Sequence, residues 1–261
     1  MSAARLIWAF LRVGALNELA YRSNFFIQLF QSALGLAAAL LGLAVVFDHT
    51  STLGGWRPAE LIALVGVYFL VGGFLDVVIK PSFTQLMEDV RLGTLDYTLT
   101  KPADAQLLVS VKTVQIWQLA NVLLGLAVLG VALMRLGGSI GVAAALGFLV
   151  ALLCGGMIVY SFLLMLTTLS FWVVRVANIM VIFQTMYEAG RWPVGIYPPW
   201  LRLSLTFLVP VAFAITVPSQ ALVGRLDPSS LAEAVALAIA LLAISRWFWM
   251  VGVRHYSGAS A

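Results

Sequence analysis

The sequence contains little charge and few residues that bind metals or react through sulfur. Asp, Glu, Lys and Arg make up 10% of its 261 residues, whereas soluble domains carry about 25%. Cys154 is the single cysteine, which excludes an intramolecular disulfide and a cysteine-based metal site. The two histidines, His49 and His255, argue against a histidine-ligated metal centre. The 15 basic residues are scattered along the chain, which argues against nucleic-acid binding and favours a role in membrane orientation.

Motifs of ATP binding and hydrolytic chemistry are also missing. The sequence has no G-x-x-x-x-G-K-[ST] loop, no H-E-x-x-H and no G-x-S-x-G, so the chain is predicted to bind no cofactor and to catalyse no covalent reaction. Gradient-driven transporters use a relay of buried carboxylates. Because only Asp76 and Glu188 lie within or beside apolar runs, such a mechanism is disfavoured, and energy for transport is expected to come from a partner.

What the sequence has in excess is apolar residues. They make up 62% of the chain, and the mean hydropathy is +1.02. The protein is therefore predicted to be an all-α polytopic membrane protein with a single transmembrane domain over 1–261. A helix needs about 20 apolar residues to cross about 30 Å of hydrocarbon. Six transmembrane helices are predicted, over 25–47, 61–79, 107–134, 142–174, 176–189 and 231–250.

Two neighbouring apolar runs are short for a crossing. The run 176–189 would be about 21 Å long as a helix, and the run 203–217 is interrupted by Pro210. Either both cross the membrane, or the first crosses and the second enters and returns. Irregular backbone is tolerated at membrane depth where protein covers it or where it lines a cavity. We therefore expect 203–217 to be re-entrant, within an outer region over 190–225 between the fifth and sixth spans.

The distribution of basic residues orients the predicted helices. With both chain termini in the cytoplasm, ten Lys and Arg residues fall on the cytoplasmic side and five outside, in agreement with the positive-inside rule. A seventh crossing at 203–217 would place the last two arginines outside and weaken this asymmetry. In residues 1–22 the apolar residues can share one helical face, and three arginines lie away from it. This pattern predicts an interfacial amphipathic helix. A cleaved signal peptide is disfavoured because the basic region ahead of the apolar run is too long.

The longest polar segment on the predicted cytoplasmic side is 80–106, between the second and third spans. Its first part, 82–92, is predicted to be a short amphipathic helix that starts after Pro81 and ends at Gly93. Such a helix either rests its apolar face on lipid or inserts it into a groove of a soluble partner, and both interpretations stay open. The apolar face comprises Phe83, Leu86, Met87 and Val90.

Two strings in this sequence resemble known signatures. The first reads Arg91-Leu92-Gly93-Thr94-Leu95-Asp96, followed by Lys101-Pro102-Ala103-Asp104. It resembles the R-x-G-T-L-D…[KR]-P-x-D signature of bacterial ABC transporter permeases of the type-2 exporter class. The second reads Tyr187-Glu188-Ala189-Gly190-Arg191-Trp192-Pro193, with Ile196-Tyr197-Pro198. It resembles the segment before the outer re-entrant region in the same subfamily, and Gly54-Gly55-Trp56 adds a less specific match.

The resemblance implies a six-span permease whose loop 80–106 contains a coupling helix that docks on a separate ATP-binding subunit. That partner would bind ATP and Mg²⁺, and this chain would bind neither. A second permease, identical or paralogous, would complete a dimer in the bacterial cytoplasmic membrane, surrounded by lipid. The residues assigned to ATPase coupling are Phe83, Leu86, Met87, Glu88, Asp89, Arg91, Gly93, Thr94, Leu95, Asp96, Lys101, Pro102 and Asp104.

Charged residues near the predicted outer side form a second candidate site. Glu188 and Arg191 are three residues apart, and because an unpaired charge beside hydrocarbon costs a few kcal/mol, they are predicted to pair. They are expected to act as an outer gate or, as we favour, to fix the corner before the re-entrant segment. The corner also includes Gly190, Pro193, Tyr197 and Pro198.

Polar residues inside the spans have two interpretations. Asp76 and Lys80 are four residues apart and are predicted to form an ion pair at the end of the second span. Gln115, Gln118 and Asn121 share one face of the third predicted span, where they either bridge helices or line a wet pathway.

The leading hypothesis is the permease subunit of an ATP-driven exporter. A non-transporting membrane anchor or assembly factor would use the same loop to recruit a soluble partner, and a gradient-driven transporter ranks third. The class of substrate and the choice between homodimer and heterodimer stay open at this point.

Overall fold

The computed structural model describes residue 12 and residues 22–137, 141–173 and 177–256. Apart from an isolated bridge between Leu53 and Trp56, the regular structure in this part of the chain is helical. The predicted interfacial helix over 1–22 lies outside it, except for Arg12 and Arg22. The helices are α1 (Arg22–His49), α2 (Pro58–Leu92), α3 (Asp96–Leu99), α4 (Ala105–Ser110), α5 (Ile116–Leu136), α6 (Val142–Phe171), α7 (Ala177–Glu188), α8 (Pro199–Leu208), α9 (Ala212–Leu222) and α10 (Pro228–His255).

Five of these helices are long and apolar enough to cross a membrane: α1, α2, α5, α6 and α10. They fall on five of the six predicted spans, so the protein is a multi-pass membrane protein. The remaining predicted span, 176–189, is helical over Ala177–Glu188. That helix is about 18 Å long, shorter than the hydrocarbon core of about 30 Å, and α7 does not qualify as a crossing by length.

The third predicted span, 107–134, has the wrong start. The structure places its first residues in the separate helix α4 and begins the crossing helix at Ile116. Ser82 explains the break, because its Oγ accepts from the Thr113 N–H at 3.0 Å and donates to the Thr113 carbonyl at 2.8 Å. Those bonds occupy backbone groups that a continuous helix would use itself.

The segment predicted to be re-entrant is sharply bent. Helices α8 and α9 meet at 80°, with Pro210 between them, where the fixed φ and the missing N–H prevent one straight helix. Helix α9 is held against α6 by close backbone contact, since a Cβ on Gly155 would lie 2.7 Å from the Phe213 carbonyl oxygen. The bend rules out a straight span over 203–217.

Helix α2 is the centre of the fold. It packs most extensively on α5, while α6 packs on α10 and α9, and most of the Pro58–Phe74 segment is buried. Three glycines, Gly66, Gly73 and Gly125, allow the backbones of α2 and α5 to touch. Helix α1 is largely exposed, as expected of a helix that faces lipid or a partner.

Helix α2 continues without a break into the predicted amphipathic segment. A π turn at Leu75–Ile79 joins its two parts, and the Gln115 N–H donates to the Val77 carbonyl of that turn at 2.8 Å. The predicted helix 82–92 is therefore not a separate element but the last part of a 35-residue helix. The Leu92 end and the apolar section of α2 are therefore parts of one continuous helix.

Candidate functional site

The Leu92 end of α2 stops in a tight, well-defined turn. Gly93 has a φ of 70°, a left-handed conformation that favours glycine. The Gly93 N–H donates to the Val90 carbonyl and the Thr94 N–H donates to the Asp89 carbonyl at 2.9 Å, which together form a Schellman motif. The turn fixes the direction in which the chain leaves the helix.

A buried carboxylate holds this turn from inside. The Asp89 side chain is 5% exposed and forms an ion pair with Lys112. Its Oδ1 also accepts from Gln85 Nε2 at 3.0 Å and from Thr94 Oγ1 at 3.2 Å. Asp89 therefore joins the end of α2 both to the Thr94 turn and to the segment that leads into α5.

The apolar face predicted to dock a partner points mostly into the protein. Phe83 and Leu86 are fully buried, and Leu95 is buried beside them. The Phe83 ring lies 5.7 Å from the ring of Tyr160 on α6. Because these side chains belong to the chain's own core, they are unavailable to another protein in this conformation. The large apolar side chains exposed here are instead Leu92, at 53%, and Tyr97, at 77%.

The far end of the loop is tied to the last helix. Asp104 accepts the Leu107 N–H at 3.1 Å, which caps α4, and forms two hydrogen bonds with Arg246 of α10 at 2.5 and 3.0 Å. The hydrogen bonds from Arg246 lower the pKa of Asp104 below its ordinary value, so this pair persists at neutral pH. Lys101 and Pro102, between the two anchored ends, are exposed.

A polar cavity of about 380 Å³ lies between α1, α2 and α7. Helix α2 contributes residues along three turns, and α1 and α7 contribute mainly amide and charged side chains. The lining residues are Gln28, Gln31, Ser32, Gly35, Tyr68, Phe69, Gly72, Gly73, Asp76, Lys80, Asn121, Gln184, Tyr187, Glu188 and Arg191. A cavity of this composition is unusual among apolar helices, where ionisable residues mark pathways or binding sites.

Two of its charges are neutralised inside the protein. Lys80 Nζ lies 2.5 Å from Asp76 Oδ1 and donates to Gln184 Oε1 at 2.5 Å. The predicted pairing of Asp76 with Lys80 is present. The same two residues also line a second polar cavity of about 640 Å³ towards the Leu92 end, so this ion pair stands between the two cavities.

The predicted pairing of Glu188 with Arg191 is wrong for the described part of the chain, where no ion pair joins them. The Arg191 guanidinium instead lies 5.2 Å from the centre of the Tyr68 ring. Its Nε is buried without a hydrogen-bond partner, and the Glu188 side chain is exposed. Sequence spacing placed the two residues on one face but did not fix where the arginine points.

Arg191 does not lie near the outer end of the helices, where the sequence predicts it. Tyr68, which Arg191 contacts, is seven residues from Leu61, or about 10 Å along α2. Arg191 therefore lies beside the apolar section of α2 rather than at its Pro58 end. The Tyr187 hydroxyl donates to the Tyr68 carbonyl at 2.9 Å, which holds the end of α7 at the same level. Helix α7 thus ends beside the apolar section of α2.

The predicted corner residues do come together after α7. Short 3₁₀ turns cover Ala189–Arg191 and Val194–Ile196, and the Tyr197 hydroxyl closes the corner by donating to the Ala189 carbonyl at 2.8 Å. A Cβ on Gly190 would lie 2.4 Å from Ile215 Cδ1. Pro193 is buried and Pro198 exposed. The corner is therefore packed directly on the bent segment.

The three polar residues assigned to the third span occupy different environments. Gln115 precedes α5, Gln118 lies in its 3₁₀ first turn, and Asn121 Nδ2 donates to Gln118 Oε1 at 3.1 Å. Gln115 and Gln118 line the larger cavity and Asn121 the smaller one. Gln118 and Asn121 share one face as predicted, whereas Gln115 does not extend it, because the helix begins only at Ile116.

An ion pair that the sequence patterns did not predict lies at the Pro58 end of α2. Arg225 Nη2 lies 3.0 Å from Glu60 Oε2, whose side chain is 7% exposed, and Arg225 Nη1 donates to the Gly55 carbonyl at 2.7 Å. Gly54 and Gly55 both have positive φ and form the tight turn that brings Trp56 into the core. A glutamate in the first turn of an apolar helix, after Pro58, was the available signal.

Removal of Arg225 is expected to destabilise the protein. Arg225→Ala would leave the buried Glu60 carboxylate without its cation, a loss of about 1–3 kcal/mol in the free energy of unfolding. Arg202→Ala is the matched control, because Arg202 is exposed on α8 and forms no ion pair with another described residue. Denaturant titration of both purified variants tests this, and equal losses would contradict the role of the Glu60 pair.

Comparison with known protein families decides the identity of the chain. The profile of the family described as ABC-2 family transporter protein matches residues 33–260. The chain belongs to that family. The resemblance stated from the loop and corner motifs is thus confirmed, and the chain is a transmembrane transport component. A search of curated proteins finds no match.

Membership of the ABC-2 family indicates the general class of protein that this chain works with. Membrane components of this family are typically non-catalytic and work with an ABC ATPase. Across residues 22–137, 141–173 and 177–256 of the ABC-2 protein, no three His, Cys, Asp or Glu side chains gather as a metal site requires. The functional surfaces to consider are therefore the loop at the Leu92 end and the polar cavities.

Proposed function

We propose that this chain is the permease subunit of an ATP-driven exporter in a bacterial cytoplasmic membrane. It forms the substrate pathway with a second permease, and a separate subunit binds and hydrolyses ATP with Mg²⁺. The observation that carries the proposal is the loop between α2 and α5, which exposes apolar side chains at the tip of a rigid helix. The excess of basic residues on the Leu92 side supports a cytoplasmic position for this loop.

The proposed docking surface consists of Leu92, Tyr97, Thr100, Lys101 and Pro102, all exposed. Leu92 and Tyr97 flank the Gly93 turn, and a tyrosine on a fixed backbone is a typical interface anchor. Phe83, Leu86 and Leu95 support the surface from below rather than contacting the partner. Asp89–Lys112 at one end and Asp104–Arg246 at the other keep the loop rigid, so force from the ATPase reaches α2 and α10.

The bent α8–α9 segment is proposed to be re-entrant from the outer side. Its basic flanks, Arg202 and Arg225, and the corner closed by Tyr197 support this assignment, as does its packing on α6 through Gly155. In this arrangement α7 enters from the cytoplasmic side and ends at membrane depth. The corner follows it directly in the chain. Irregular backbone there is permitted because it packs on protein.

The docking surface is tested with Tyr97→Glu. A carboxylate at the centre of an apolar contact is expected to reduce co-purification of the ATPase subunit from native membranes by about tenfold or more, since a hot-spot residue is worth about 2 kcal/mol or more. Tyr97→Phe retains the ring and is expected to co-purify normally. Retention of the ATPase by Tyr97→Glu, with normal ATP hydrolysis, would overturn the assignment of this surface.

The same preparation distinguishes an exporter from a membrane anchor. If the chain is a permease, ATP hydrolysis by the assembled complex changes when the permease is present in a lipid bilayer, relative to the ATPase subunit alone. Unchanged hydrolysis in a stoichiometric complex would favour the anchor. Purification of the chain without any ATP-binding subunit under mild conditions would contradict the exporter proposal.

A further inference from the structure

Two opposite charges without ion-pair partners lie together in the smaller cavity. Lys80 and Asp76 satisfy each other, but among the described residues Arg191 contacts the side chain of Tyr68 through its ring and a hydrogen bond, and neither Arg191 nor Glu188 forms an ion pair. An unpaired charge at membrane depth is costly and is retained where it serves a pathway or a ligand. The buried Nε of Arg191 is a further hydrogen-bond donor without an acceptor inside the protein.

The cavity as a whole is electrically balanced. It contains two carboxylates, Asp76 and Glu188, and two cations, Lys80 and Arg191. A ligand with a net charge would leave one of the two free groups uncompensated in a medium of low dielectric constant. A ligand that carries one charge of each sign compensates both.

Both free groups line the same cavity. Glu188 ends α7 and is exposed, and Arg191 ends the 3₁₀ turn Ala189–Arg191 with its guanidinium over the Tyr68 ring. Because the two groups are three residues apart in the chain and do not pair with each other, each is available to a different part of one small ligand.

We propose that this cavity binds a zwitterionic group, with its anionic part at Arg191 and its cationic part at Glu188. The amide side chains of Gln28, Gln31 and Asn121 add hydrogen-bond partners around it, and the Tyr68 ring forms one wall. The proposal names the substrate class of the transport pathway and so rests on the proposed function. Its test measures binding to the permease alone and does not require the ATPase.

The test compares three probes of equal chain length in uncharged maltoside micelles. Dodecylphosphocholine carries a zwitterionic head, dodecyl phosphate an anionic head and dodecyltrimethylammonium a cationic head. The purified full-length permease is expected to bind the first at least about tenfold more tightly than either of the others, equivalent to about 1.4 kcal/mol. Equal or tighter binding of a singly charged probe would overturn the proposal.

Glycerophosphocholine, which has the same head without a chain, identifies the source of the zwitterion. If it displaces dodecylphosphocholine at comparable concentration, the site takes a free zwitterionic solute. If it fails to compete while the amphiphile binds selectively, the site takes a lipid head group. Either result supports the shared chemistry.

Charge exchange provides the sharper test. Arg191→Gln and Glu188→Gln are each expected to weaken dodecylphosphocholine binding about tenfold, because each removes one charge-assisted contact. The double variant Glu188→Arg/Arg191→Glu is expected to recover binding, since a zwitterion can bind in the reversed orientation. Arg202→Gln, outside the cavity, is the matched control and should bind as the unmodified protein does.

A variant that adds charge covers the case in which Arg191 is needed for folding. Gln31 is exposed and lines the cavity, so Gln31→Glu removes no internal contact. It is expected to raise affinity for the cationic probe relative to the zwitterionic one. No change in that ratio would overturn the proposal. A second result would also overturn it: the Arg191→Gln and Glu188→Gln variants lose permease–permease association while probe binding is unchanged. The two charges would then pair between subunits instead of binding a ligand.

Discussion

A methyl group added at Gly125 is expected to lower the free energy of unfolding by about 3 kcal/mol, the upper part of the range for overpacked cores. Its Cβ would lie 2.5 Å from the Leu70 N and 2.9 Å from the Gly66 carbonyl oxygen. These are backbone atoms of α2, which cannot rotate away as a flexible side chain does. Gly125→Ala would therefore force α2 and α5 apart along their whole contact.

Gly130→Ala is the matched control in the same helix. A Cβ on Gly130 would meet nothing within 4 Å, and alanine is favoured over glycine in a helix by about 1 kcal/mol. Denaturant titration and thermal unfolding of the two purified variants should move in opposite directions. If Gly125→Ala behaves like Gly130→Ala, the close approach of α2 and α5 is not part of the folded state.

Removal of the buried carboxylate at Asp89 is expected to have the next largest effect. Asp89→Ala would leave Lys112 without its counter-ion and Gln85 and Thr94 without an acceptor. Hydrogen bonds to charged groups contribute about 1.5–3 kcal/mol, and the 29% exposure of Lys112 reduces the penalty of its unpaired charge. The expected loss is about 2–3 kcal/mol in the free energy of unfolding.

The neighbouring carboxylate supplies the control. Glu88 pairs with Arg91 on the exposed face of the same helix turn, and surface pairs contribute little, so Glu88→Ala is expected to leave unfolding almost unchanged. A double-mutant cycle of Asp89→Ala with Lys112→Ala should return a clear coupling energy. Equal effects of the Asp89 and Glu88 variants would show that the Asp89 contacts do not hold the turn.

The positions of most crossing helices were predictable because apolar length alone decides them. Predicted spans 25–47, 61–79, 142–174 and 231–250 each coincide with one long helix. The start of the third span was not predictable from the sequence. Ser82, which lies in a distant part of the chain, forms hydrogen bonds with the backbone N–H and carbonyl of Thr113. No hydropathy pattern contains that contact.

The sequence predicted where in the chain the candidate sites lie, but not which of their side chains are exposed. Gly93 ends its helix as its sequence context indicates, whereas Phe83 and Leu86 are buried in the chain's own core instead of facing outwards, with the Phe83 ring next to Tyr160 of α6. An amphipathic pattern shows that one face is covered but does not say what covers it. The ion pair of Arg246 with Asp104 joins the last helix to the loop, and no local pattern predicts it.

By itself the sequence determined the class of protein, the approximate place of its long apolar helices, the family signature and the turn at Gly93. These depend on local composition and on backbone preferences of single residues. Only the tertiary structure decided that Arg191 lies over Tyr68 rather than beside Glu188, that Arg225 reaches Glu60, and that the loop exposes Leu92 and Tyr97. Those outcomes depend on distances between residues far apart in the chain, which are set when the helices pack.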